Sequence, residues 1–104
     1  MRYHGSVDFE AGSERILDLI LGEGKEYARM DRELLKRLER VLNLLETVDS
    51  LETLRSFRSL DLKYFDGHYQ IRVDGDKRLW FEVEDDRIVI VHFGATDHKH
   101  GRTR

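Results

Sequence analysis

The chain has 104 residues, 39% apolar and 38% charged, enough for one hydrophobic core beneath a heavily charged surface and too few for two. It has no cysteine, which excludes disulfide scaffolds, thiolate metal centres and cysteine nucleophiles and fits a reducing cytoplasm. A formal charge of −3 weighs against a chain built mainly to coat phosphate backbones, but the charge is uneven: residues 1–54 carry 8 Lys and Arg against 12 Asp and Glu, whereas residues 55–104 carry 10 against 9 and four of the five histidines. Any polyanion site is therefore expected in the second half. No apolar run approaches the ~20 residues of a membrane helix, and Met1-Arg2-Tyr3-His4 begins no apolar leader. The expectation is one soluble cytoplasmic domain over residues 1–104, without membrane contact.

In chain order, Tyr3, Gly5, Val7 and Phe9 alternate with Arg2, His4, Ser6 and Asp8, the period of a short half-buried strand. Ser13 is placed to cap a helix to Leu21, with Ile16, Leu17, Leu19, Ile20 and Leu21 as its apolar side and Gly22 or Gly24 as its stop. A second helix is expected from about Asp31 to Leu45, because Leu34, Leu35, Leu38, Val41, Leu42 and Leu45 fall three or four residues apart. That stripe is read as core rather than as a partner's docking face. From Thr47 to Asp66 the pattern fades into short turns anchored by Leu51, Leu54, Phe57, Leu60 and Leu62. Beyond it, His68–Val73 and Leu79–Val83 alternate, and Ile88–Phe93 is the nearly continuous apolar run of a central strand. Asp74-Gly75-Asp76 and Glu84-Asp85-Asp86 separate them as turns, which makes an antiparallel meander. The order predicts an α+β fold, an N-terminal strand and two helices packed on an antiparallel sheet.

Strand parity fixes what faces the core. Tyr69, Ile71 and Val73 should join Leu79, Phe81 and Val83 there, which needs an odd loop. With Asp74, Gly75 and Asp76 as that loop, Ile71 faces Leu79, Gln70 faces Trp80, and Arg72 faces Arg78 across the non-core face. Opposed like charges cost ~0.2–1 kcal/mol, so the arginine pair needs a compensating partner. A bound anion would supply one, since arginine's planar fork makes paired hydrogen bonds to phosphate oxygens. Trp80 beside it could stack a base. The plainer alternative has Glu82 and nearby carboxylates neutralising the arginines and Trp80 packed away. His98 and His100 follow the last strand in Asp97-His98-Lys99-His100, where a loop can reach the sheet. A His-x-His pair lacks the third protein ligand of a catalytic zinc site, so no metal or cofactor is expected. Acid–base work on a phosphodiester suits these histidines better, and for His92 a satisfied strand histidine is the plain reading.

The run from Gly67 to Val83, GHYQIRVDGDKRLWFEV, resembles the hairpin signature of the RelE/ParE toxins of type II toxin–antitoxin systems, especially their HigB-like branch. The order strand, helices, meander is similar over the whole chain, and Leu54–Lys63 looks like the family's approach to that hairpin. The resemblance implies a ribosome-dependent messenger RNA endoribonuclease that needs no metal and is inhibited by a cognate antitoxin. It places Arg78 at the family's hairpin arginine, Arg72 at a basic residue of the preceding strand, and His98 or His100 at the C-terminal acid or base. Lys63, His68, Gln70, Trp80 and Lys99 are the RNA contacts it suggests. The implied chemistry is attack by a 2′-hydroxyl on its own phosphate, with arginines stabilising the oxygens and a general acid protonating the departing 5′-oxygen.

Two other readings share the fold: a ParE-like poison that binds DNA gyrase, and an interaction module that has lost activity. Arg72, Arg78 and the late histidines favour the nuclease, whereas the net negative charge favours the others. The expected partners are messenger RNA, the ribosome and an antitoxin, in a homodimer or a toxin–antitoxin hetero-oligomer.

Overall fold

The computed structural model describes residues 2–3, 8–48, 50–85, 87–97 and 102–103. Their elements run β1 (Arg2–Tyr3), β2 (Asp8–Ala11), α1 (Glu14–Leu21), α2 (Gly24–Arg29), α3 (Arg32–Thr47), α4 (Leu51–Ser56), β3 (Lys63–Phe65), β4 (His68–Asp74), β5 (Lys77–Glu84), β6 (Arg87–Asp97) and β7 (Arg102–Thr103). A 3-10 turn at Arg58–Leu60 precedes β3. The sheet order is β1-β2-β6-β5-β4-β3, with β7 on the end of β6. Neighbours are antiparallel except β2 and β6, which run parallel. That parallel pair is possible because α1 to α4 and the meander separate the two strands in sequence.

The helices begin and end where short polar residues and glycines place them. Ser13 Oγ accepts from Ile16 N at 3.3 Å to cap α1, and Gly22 ends it in the left-handed region at φ 74°. The chain turns at once into α2, which the sequence pattern did not separate from the stop. Asp31 caps α3 through Glu33 N at 3.1 Å. Ile16 and Leu19 of α1, Leu38, Val41 and Leu45 of α3, and Leu54 of α4 are buried against Ile71, Val73, Leu79, Phe81, Ile88, Ile90 and Phe93 of the sheet. The helices thus cover one face.

The expected cross-strand partners are present: Ile71 opposite Leu79, Gln70 opposite Trp80, Arg72 opposite Arg78. The connection differs in detail. Asp74 pairs with Lys77 around Gly75-Asp76, and the extra residue is a bulge at Val73. A two-residue turn plus a bulge shifts parity as a three-residue loop would, so the core face is unchanged. Val83, expected in the core, is 39% exposed near the end of β5. A second bulge lies in β6, where Phe81 faces Ile90 but Trp80 faces His92. The skipped residue, Val91, resets the alternation, so Ile88, Ile90 and Phe93 all point to the core and His92 and Gly94 to the opposite face.

Candidate functional site

On the face away from the helices, the arginine pair has found an internal anion. Asp61 ends the 3-10 turn at φ 47°, ψ 53°, a left-handed conformation that aspartate tolerates better than most residues. Its Oδ2 accepts from Arg78 Nη2 at 2.7 Å and Arg72 Nη2 at 3.3 Å, and lies 3.7 Å from Lys63 Nζ. Its backbone carbonyl accepts a second bond from Arg78 Nη1 at 3.3 Å. Three cations therefore converge on one carboxylate, a local excess of two positive charges in an acidic chain. Their exposures differ in a useful way: the Arg78 side chain is 9% exposed, Arg72 52% and Lys63 61%. Arg78 is a buried anchor with two outward-facing cations in front of it.

The hydrogen bond from Arg78, then the charges of Lys63, Arg78 and Arg72, hold the Asp61 carboxyl below its ordinary range, against burial. A carboxyl depressed by folding adds stability that is complete above its unfolded value and is lost as pH falls through its folded one. Asp61→Asn is therefore expected to lose stability at neutral pH and to lose less than wild type on further acidification. Urea melts at pH 7 and at pH 3 check this; equal losses at both would contradict it.

Glu82, the alternative neutraliser of the arginines, instead pairs with His68 at 3.0 Å. His68 stands four residues before Arg72 on the same strand, roughly 13 Å away along it, so it lies apart from the cluster. Gln70 and Trp80 occupy the row between and are 3% and 2% exposed. Trp80 packs edge-on against His92, ring centroids 5.0 Å apart, so in the free chain it is interior and not an open stacking platform. His98, Lys99 and His100 lie outside the described residues. Among the described residues no group of three or more His, Asp and Glu side chains is arranged to hold a metal ion.

A second cluster sits beyond the end of β2, where β6 loses its neighbour on that side. Arg15 reaches from α1 to this open edge and donates from Nη2 to the Phe93 carbonyl at 2.6 Å. Its Nε and Nη2 also bond Glu26 of α2 at 2.8 and 2.7 Å, and Nη1 lies 3.4 Å from His92 Nδ1. The bond to Glu26 raises the Arg15 pKa, and the bond from Arg15 lowers that of Glu26. Sequence reasoning singled out none of Asp61, Arg15 or Glu26. The one available signal was the broken parity of Ile88, Ile90 and Phe93, which implies a bulge and puts His92 on the arginine face.

No family model matches the chain, and neither does any curated protein. Among solved structures, a chain of the YoeB–YefM complex from Staphylococcus aureus superposes with a TM-score of 0.56 at 16% identity, over 84% of this chain and 93% of that one. At that identity the likeness establishes the fold. It supports an α+β fold like that chain's and does not single out a HigB-like branch.

Proposed function

We propose that this chain is the toxin of a toxin–antitoxin pair and cuts messenger RNA at the Lys63, Arg72 and Arg78 cluster. The observation that carries the reading is the convergence of three cations on one carboxylate, on the sheet face left free by the helices. An arrangement that holds a carboxylate between two guanidinium forks is suited to a phosphate group. Arg72 and Lys63 are bound to Asp61 only through exposed ion pairs, which are weak, so both can turn to an incoming phosphodiester while Arg78 stays anchored. As a 2′-hydroxyl attacks its own phosphorus, charge grows on the nonbridging oxygens, and fixed cations stabilise it most in the transition state. His98 or His100 is assigned the proton delivered to the departing 5′-oxygen, and Lys99 and His68 the flanking RNA contacts.

Two of the three cations stand on open surface, so the alignment of the reacting groups has to come from a second body. We assign that role to the ribosome. The structural neighbour is a two-protein complex, and an antitoxin is the corresponding partner proposed here. No helix among the described residues is long and apolar enough to cross a membrane. We place the reaction in the cytoplasm, where messenger RNA and ribosomes are.

Induced expression tests the function. Growth arrest with new 5′ ends in messages is the expected result. Arrest with intact messages would favour a gyrase poison, and no arrest the inactive interaction module.

A further inference from the structure

His92 carries a feature that ordinary packing does not use. Guanidinium nitrogens only donate, so with Arg15 Nη1 at 3.4 Å its Nδ1 has to accept. The proton of the neutral ring is then on Nε2. Nε2 is shielded from solvent and finds no hydrogen-bond partner among the described residues. A buried donor left unmade is costly, so Nε2–H is open to a partner that the described residues do not supply.

Its position relates it to the arginines. A Cβ on Gly94 would stand 3.1 Å from Nε2, so the ring leans over Gly94 and a side chain there would crowd it. Gly94 is the cross-strand partner of Arg78. Facing Cβ positions on adjacent strands are ~4.5–5.5 Å apart, so the ring and the Arg78 side chain rise from neighbouring positions of the same face. Arg15, Glu26, Phe93 and Gly94 also line a cleft of about 490 Å³ at this end of the sheet. The groups facing the ring are Arg15 from α1, Glu26 from α2 and Trp80 from β5. Burial first, and the Arg15 charge second, keep the ring neutral against the opposing charge of Glu26. A neutral imidazole of this kind is a fixed hydrogen-bond donor rather than a proton source.

We propose that His92 is a further substrate-binding residue of the nuclease site, its Nε2–H donating to a nonbridging oxygen of the phosphodiester, with Arg15 and Glu26 positioning the ring. The inference rests on the nuclease reading, and the experiment separates the two. The full chain, labelled with ¹⁵N in histidine and arginine, is titrated with a short RNA blocked by a 2′-deoxy nucleotide at the cut. In the free chain Nδ1 is expected to be unprotonated and Nε2–H protected from exchange. Added RNA shifts both the Nε2–H and the Arg78 guanidinium signals. Arg78 shifting while His92 stays still, or no shift at either, overturns His92 as an RNA contact of the free chain and leaves the nuclease reading to the cutting assay on the ribosome. A protonated Nδ1 in the free chain also overturns the proposal. In cutting assays His92→Phe is expected to lose about 10²-fold in kcat, and His92→Gln, which restores an N–H, to recover most of it. If His92→Phe fails to fold, Arg15→Gln takes its place. Freed from the guanidinium charge, His92 should titrate at higher pH and RNA affinity should fall, and an unchanged titration with unchanged affinity would count against the positioning role.

Discussion

Replacing Arg78 with lysine is expected to lower the rate of message cutting by about 10²–10³ while leaving the chain folded. Arg78 makes two bonds to Asp61, one to the carboxylate and one to the backbone carbonyl, from a side chain only 9% exposed. Lysine keeps the charge and most of the stem but loses the planar fork, so it can hold Asp61 or face a phosphate without fixing the geometry of either. Alanine is the less informative change, because it also leaves the Asp61 carboxylate without its closest partner. The check is a purified translation mixture in which fragment appearance is timed for both proteins, with thermal melts alongside. A rate within about twofold of wild type at unchanged stability would remove Arg78 from the chemistry, since a typical single donor is worth far more.

Phe81→Ala is expected to cost about 3–5 kcal/mol of stability, the largest loss we assign to any side chain of the core. Phe81 is fully buried and stacks on Tyr69 with centroids 5.4 Å apart and planes 16° from parallel. Tyr69 in turn meets Tyr64 edge-on at 4.9 Å, so the aromatic row links the centre of the sheet to its β3 edge. Removing the ring leaves a cavity in the core cluster that the neighbouring strands cannot collapse to fill. In a chain of this size the loss corresponds to a fall in Tm of roughly 12 °C or more. Urea unfolding measures it directly, and a loss below about 1 kcal/mol would show that the packing there is loose.

The two halves of the chain were unequally legible from sequence. Where one face is buried and the other polar, as in His68–Val73 and Leu79–Val83, the period of two determines which side chains share a face, and it correctly opposed Arg72 to Arg78. The long stripe of α3 was equally clear, since sixteen residues give several turns over which the period repeats. α2 and α4 have six residues each, under two turns, and no periodic signal can accumulate over that length. β3 is a three-residue edge strand with every residue exposed, so it carries no alternation to read. The anion that resolves the arginine pair was hidden for a different reason. Asp61 lies seventeen residues from Arg78, and nothing in its local sequence shows that a 3-10 turn and a left-handed residue will place it there. Arg15 and His92 are seventy-seven residues apart, joined only because β2 runs parallel to β6 and ends before it.

The chemistry of the cut ends tests the central claim most directly. Cutting by a 2′-hydroxyl leaves a 2′,3′-cyclic phosphate on one fragment and a 5′-hydroxyl on the other. The purified chain is incubated with a programmed ribosome in excess chelator, and both ends are assigned by mass spectrometry. Cyclic phosphate and 5′-hydroxyl ends, absent with Arg78→Lys, are the predicted result. Fragments bearing 5′-phosphates, or no fragments from a folded chain, would contradict it.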